Sequence, residues 1–157
     1  SGYERSRVFM GSGLGGWVDV AAAVGVDDRY DGRAVAFADL SNRGVLDVIV
    51  ANQNQPAILY RNHPDTMNHW IAFRLEGTRS NRSAIGAEVV VESSGLMQRR
   101  VVDGGLGFAS QNDRRLHFGL GALDRVDRVE IHWPSGRLQV LANPVVDELH
   151  SVTEPRR

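Results

Sequence analysis

The stretch that decides how this chain reads is Val102-Asp103-Gly104-Gly105-Leu106-Gly107-Phe108-Ala109-Ser110-Gln111-Asn112-Asp113-Arg114-Arg115-Leu116-His117-Phe118-Gly119-Leu120-Gly121. It ends in strict alternation. Leu116, Phe118 and Leu120 share one face, and Arg115, His117 and Gly119 share the other. A period of two is the mark of a half-buried strand. Ahead of it, Gly104, Gly105 and Gly107 allow positive φ or close approach of another segment. Ser110, Gln111, Asn112 and Asp113 crowd the joint between loop and strand. Two readings follow. Ser110 to Asp113, with His117 on the strand, form a ligand-binding rim; or the loop is a wide turn whose Ser, Asn and Asp bond their own backbone.

The same alternation runs outward from this stretch. Downstream, Val129, Ile131 and Trp133 alternate with Arg128, Glu130 and His132, and Pro134-Ser135-Gly136 is a turn signal. Leu138–Leu141 and Leu149–Val152 close the chain as strands. Upstream, Ile71, Phe73 and Leu75 mark one strand, Ala87, Val89 and Val91 a second, and Gln98–Asp103 a third. Short strands spaced about ten residues apart predict a β-sandwich or barrel. Before residue 63 the pieces are shorter: Arg7–Met10, Trp17-Val18, Ala34–Ala38, Val48–Ala51 and Ile58–Asn62. Asp19 caps a short helix over Ala21–Val24, ended by Gly25. Ile58–Asn62 echoes Val8–Gly11 about fifty residues earlier, a spacing expected of propeller-type repeats. His63-Pro64-Asp65 reads as a joint. The expectation is an all-β chain of two parts, 1–63 and 64–157.

Composition narrows the function classes. At 157 residues the chain is one domain or two small ones. A net charge of −1 gives nucleic acid or an anionic membrane no general attraction. The absence of cysteine excludes disulfides and thiolate metal sites. No apolar run approaches the roughly 18 residues of a membrane span. The basic residues are all arginine, the codon bias of a GC-rich bacterial genome. Asp103, Ser110 and His117 supply the residue types of a hydrolytic triad. No G-x-S-x-G elbow surrounds Ser110, and the five histidines lack helical i, i+4 pairing. Among the tryptophans, Trp133 belongs in the core, Trp70 seals the two parts, and Trp17 is an exposed contact residue.

At these motifs the chain resembles a known pair of modules. Ile85-Gly86-Ala87, Ser110-Gln111-Asn112, Leu116–Gly121 and Ile131–Gly136 carry a resemblance of positions 70–154 to the ASPIC/UnbV domain. That domain occurs in bacterial UnbV-type proteins, several from enediyne polyketide biosynthesis, and in cartilage acidic protein of animals. Positions 5–62, from Gly32-Arg33-Ala34-Val35-Ala36 through Asp39 to Asn62, resemble an FG-GAP/VCBS repeat, a propeller-blade unit. The resemblance implies a propeller-blade-like repeat followed by a β-sandwich or barrel. A solitary blade has open edges, so the chain is expected to be the C-terminal piece of a longer protein or to pair with another chain.

FG-GAP loops of the form D-x-D-x-D-G-x-x-D often hold calcium. The matching slots here are Asp39, Ser41, Arg43 and Asp47, two carboxylates with a hydroxyl and a fixed cation. Calcium asks for roughly six to eight oxygens, several of them charged. Three arrangements stay open at this point: calcium on Asp39, Ser41 and Asp47; the Arg43 guanidinium bridging Asp39 and Asp47 in the ion's place; or Arg43 in solvent. No other cofactor is expected. The first functional reading is a non-catalytic binding or assembly module in an enediyne-type polyketide pathway. It would have a partner chain or self-associate and could take a small polyketide-type ligand at Ser110, Gln111, Asn112, Asp113 and His117. An enzyme acting on a polyketide intermediate through the 104–117 loop is the second. An extracellular adhesion module is the third. The biosynthetic readings place the chain in the cytoplasm, the adhesive one outside the cell.

Overall fold

The computed structural model describes residues 4–13, 15–64 and 68–156. Asp65 of the expected joint and Leu14, between the expected strands Arg7–Met10 and Trp17-Val18, lie outside the described residues. The strands are β1 (Phe9–Gly11), β2 (Trp17–Asp19), β3 (Gly32–Ala38), β4 (Asp47–Asn52), β5 (Ile58–Tyr60), β6 (His69–Glu76), β7 (Glu88–Ser93), β8 (Leu96–Val101), β9 (Leu116–Gly121), β10 (Arg128–His132), β11 (Leu138–Ala142) and β12 (Glu148–Thr153). Among the described residues there is no helix, and none long and apolar enough to cross a membrane. The short helix expected over Ala21–Val24 is a turn. Asp19 does cap it, its Oδ1 accepting the Ala21 N–H at 3.1 Å. Gly25 at φ 73° ends it at once, and so few residues do not repay helix nucleation.

From residue 69 onward two sheets face each other. One runs in the order β11-β10-β7-β8, the other β12-β6-β9. Their inner faces interlock as the alternation requires. Ile71, Phe73 and Leu75 from β6, with Leu116, Phe118 and Leu120 from β9, meet Val89, Val91, Val129 and Ile131 from the opposite sheet. Phe73 and Phe118 meet edge to face at 5.9 Å. Trp133 is buried at 3 % exposure, as its place in the alternation predicts.

The barrel alternative is corrected. β8 and β9 come together without a backbone ladder. Instead Gln98 Nε2 donates to the Gly119 carbonyl at 2.7 Å, Arg100 Nε donates to His117 O at 3.3 Å, and the Arg100 guanidinium lies 5.6 Å over the Phe118 ring. Side chains stand where ladder bonds would be, so the sheets remain a sandwich.

Residues 4–62 form a β1-β2 ribbon and a separate antiparallel sheet β3-β4-β5. Ala34, Ala36 and Ala38 face one way; Val35 and Phe37 face the other and stay 44 % and 41 % exposed. Tyr60 on β5 hydrogen-bonds Asp28. Burial first, then that bond, pushes the Tyr60 hydroxyl up to about 12.

The chain end is locked by a carboxylate. Glu154 follows β12, which pairs parallel to β6. Its Oε2 accepts the N–H groups of Thr78, Arg79 and Ser80, each at 2.8 Å, and its Oε1 accepts the hydroxyls of Ser80 and Ser135. The 77–82 loop can curl this tightly because Gly77 has no Cβ; one there would lie 2.2 Å from the Asn81 carbonyl oxygen. Burial alone would raise the Glu154 pKa. The hydrogen bonds from Ser135, Ser80, Arg79 and Thr78 outweigh it and hold the carboxyl at about 2, against an ordinary 4.5. A depressed folded-state pKa contributes stability that is full above the unfolded value and lost as pH falls toward the folded one. The thermal midpoint of the natural chain is therefore expected to drop between about pH 4.5 and pH 2. Glu154→Gln is expected to start lower at pH 7 and to converge with it near pH 2, as followed by circular dichroism. Parallel pH profiles would remove this role from Glu154.

Candidate functional site

β9 has a face left over. With Leu116, Phe118 and Leu120 in the core, Arg115 and His117 point at residues 37–46. The Arg115 fork divides three ways. Nη2 donates to the Asp39 carbonyl at 2.7 Å, Nη1 donates to Asn42 Oδ1, and Nε donates to the Asp113 carboxylate. Asn42 sits in the left-handed region at φ 51°, within the turn that presents its amide. His117 Nε2 is 2.8 Å from the Gly44 carbonyl. A carbonyl can only accept, so Nε2 carries the proton. The imidazole also stacks on Trp70 at 5.9 Å and 6°. Gly44 has φ +74°, and a Cβ there would fall 2.1 Å from the Trp70 ring. The indole thus occupies space that only a glycine leaves, and Trp70 seals the parts as expected.

The loop ahead of β9 contributes as a backbone partner. Asn112 Oδ1 accepts the Phe37 N–H at 3.0 Å, and the Asp113 N–H donates to the Phe37 carbonyl at 3.1 Å. The outer edge of β3 is covered at that residue. Ser110 behaves differently. Its hydroxyl donates to the Leu106 carbonyl, and its own carbonyl accepts the Leu106 N–H at 3.1 Å. It closes its own turn, the second of the two readings of the loop. Gln111 is exposed. The Ser110 hydroxyl and the His117 imidazole are thus engaged with different carbonyls, Leu106 and Gly44, and do not form a nucleophile–base pair.

A cleft of about 220 Å³ lies in this joint. Asn112, Asp113 and His117 line it with Asp39, Asn42, Arg100, Asp103 and Arg115, over apolar walls from Phe37, Leu46, Trp70 and Leu149. Ser110 and Gln111 do not line it. Arg115, Asn42 and Gly44 carry much of the geometry, although none of them belongs to the polar rim of the loop. The alternation did hold the signal, because it placed Arg115 beside His117.

The 39–47 loop is built around two buried carboxylates. Asp39 Oδ1 accepts the N–H groups of Ser41 and Arg43 at 3.3 and 3.0 Å, and Oδ2 accepts that of Gly44 at 2.7 Å. Asp47 is fully buried, and its Oδ1 accepts the Asn62 N–H at 2.9 Å. Its Oδ2 has no hydrogen-bond partner, though Arg61 Nε is within ion-pair reach at 3.4 Å, off the hydrogen-bond line. Arg61 also donates to Ser41 Oγ at 2.9 Å. The Arg43 bridge is therefore corrected. Arg43 reaches the Asn62 carbonyl at 3.5 Å, and Arg61 is the guanidinium that spans two of the slots. This donor set fits calcium poorly: three backbone N–H groups already occupy most of the Asp39 acceptor sites, and a cation already faces Asp47 and Ser41. Among the described residues no three His, Asp or Glu side chains gather as a metal site.

A family model described as "ASPIC and UnbV" matches residues 77–157. Human cartilage acidic protein 1 is 33 % identical over 128 residues, which cover 78 % of this chain and 19 % of that protein. The mouse protein of the same name is 32 % identical over 128 residues with the same coverage. The Xenopus tropicalis protein is 31 % identical over 115 residues, 69 % of this chain and 17 % of that protein. The chain thus spans about a fifth of the length of these relatives.

Replacing Arg115 with Met keeps its stem and removes its donors. That leaves the Asp39 carbonyl and the Asp113 carboxylate short of a partner, at about 1–3 kcal/mol. The expected result is a lower denaturation midpoint with faster proteolysis between residues 37 and 64, while the sandwich stays protected in hydrogen exchange. Chelation followed by millimolar calcium is expected to leave the thermal midpoint unchanged. A rise on adding calcium would return the metal to Asp39, Ser41 and Asp47.

Proposed function

The chain belongs to the ASPIC/UnbV family, and from that premise we propose that it is a non-catalytic binding or assembly module of a larger protein. One observation carries the reading. Among the described residues from 4 to 62, Ala21 is the sole buried hydrophobic residue. A segment of that size cannot offset its own ordering entropy without a core. The bonds of Arg115 and His117 to residues 39–44 supply part of what is missing. The rest is apolar surface left open. Phe9, Met10, Trp17 and Val18 on the ribbon are more than half exposed. Between ribbon and sheet runs a groove of about 510 Å³, lined by Val8, Phe9, Val26, Val35, Phe37, Val48 and Val50.

In this reading residues 1–63 are one FG-GAP/VCBS-like blade and 64–157 the ASPIC/UnbV sandwich that anchors it. The groove receives another β-sheet, from the same protein or a partner chain. The cleft holding Asn112, Asp113 and His117 is the place for a small ligand, of polyketide type in the enediyne setting that the resemblance offers. That setting implies a cytoplasmic protein; an adhesive one implies secretion. Catalysis through the 104–117 loop has less support, because Ser110 and His117 are engaged apart from each other.

Sedimentation across micromolar to submillimolar concentration tests the groove. Weak self-association is expected, abolished by Phe9→Ser with Val35→Ser. A monomer at every concentration, whose groove also fails to bind an apolar dye, would overturn the assembly reading.

A further inference from the structure

We propose that a hollow beside the end of β6 binds a doubly charged tetrahedral oxyanion, the phosphate monoester group of a small molecule. Three guanidiniums line this hollow of about 340 Å³. They come from separate segments: Arg74 from the outer face of β6, Arg82 from the loop after it, and Arg114 from just ahead of β9. None of the residues lining it lines the cleft at the joint.

Charge decides what fits. Glu76 is the one acid in the lining, so three positive charges meet one negative, a formal 3 − 1 = +2. Arg82 Nε donates to Glu76 at 3.1 Å, and those side chains are 89 % and 52 % exposed. Such a solvated pair is weak and opens readily. Arg114 Nη1 donates only to the neutral Ser83 Oγ, at 2.9 Å. Among the described residues no carboxylate lies within ion-pair distance of Arg74 or Arg114. Two guanidiniums without counter-charges on one hollow repel each other unless an anion joins them. The floor strengthens the attraction, since Leu75 and Val102 are buried and an apolar wall screens charge less than water does.

Geometry then selects the anion. The planar arginine fork matches phosphate-type oxygens in pairs. A dianion cancels the +2, and its several oxygens can take forks from different directions. A carboxylate brings one charge and two oxygens. Ser83 accepts from Arg114 and keeps its own O–H to donate. The hollow is larger than a bare ion, which leaves room for the group that carries it.

The test is titration of the whole chain with inorganic phosphate and, in a separate arm, sulfate, at constant ionic strength set by sodium chloride. Calorimetry and arginine side-chain NMR are the readouts. Saturable binding is expected for both anions, with the Arg74 and Arg114 signals moving together. Acetate is expected to bind much more weakly. Arg74→Gln and Arg114→Gln are each expected to weaken binding roughly tenfold or more, the loss of one charge-assisted contact. Arg74→Lys is expected to recover part of it, keeping the charge without the fork. These side chains are exposed, so the variants should keep the parent's thermal midpoint without ligand; Arg79→Gln, outside the lining, is the control. Inorganic sulfate is a probe of the same shape and charge; its binding without phosphate would overturn the phosphate assignment. Equal response to chloride, or undiminished binding in the Arg74→Gln/Arg114→Gln double variant, would overturn the site.

Discussion

Leu116, Phe118 and Leu120 point from β9 into the sandwich, so Arg115 and His117 have only the opposite side to occupy. The order of magnitudes makes this a constraint. Burying each of those apolar side chains is worth about 1.5–3 kcal/mol. The His117 bond to the Gly44 carbonyl is worth about 0.5–1.5 kcal/mol net. The core therefore sets the register of β9, and the joint accepts the direction it is given. A slip of one residue would carry Arg115 and His117 into the core and lose both at once. The contacts to Asp39, Asn42, Gly44 and Phe37 all depend on that register.

How much of this was legible depended on the strength of periodicity. The strands from β6 to β12 were readable because one face of each meets a deep core. Val129, Ile131 and Trp133 are the clearest case: an alternating triplet, all buried. The first part was harder. In β3 the larger residues Val35 and Phe37 lie on the more exposed face, while alanines take the sheltered one. Hydrophobicity there marks the open face rather than the sheltered one. The Ala21–Val24 turn misled for a related reason, since alanines and a capping Asp are helix signals only where enough residues follow.

The site was half legible. Asn112, Asp113 and His117 stand in the sequence as polar groups at a loop–strand junction, and all three line the cleft at the joint. Their partners lie some seventy residues away in sequence, Phe37 and Gly44 among them. No local pattern reveals that a loop's amide will be used by another strand's backbone. The guanidinium of the 39–47 loop is hidden for the same reason. Spacing pointed to Arg43, inside the motif. The guanidinium that reaches Ser41 and Asp47 belongs to Arg61, which follows β5 and arrives through tertiary packing.

That substitution changes how the first part is held. A calcium loop would gather its ligands around an ion that can leave. Here Asp39 is bound by three backbone N–H groups and Asp47 faces a fixed cation. Such buried charge adds little net stability, because desolvation offsets the attraction, yet removing one partner is costly. The loop is thereby specified rather than strongly stabilised. Specification is what the joint requires, because the Asp39 carbonyl, the Asn42 amide and the Gly44 carbonyl must each stand where β9 can reach them. The buried carboxylates place those three groups, and the sandwich core places the side chains that grip them. The apolar face of β3–β5 is then presented in a fixed orientation, although the segment that carries it has almost no core of its own.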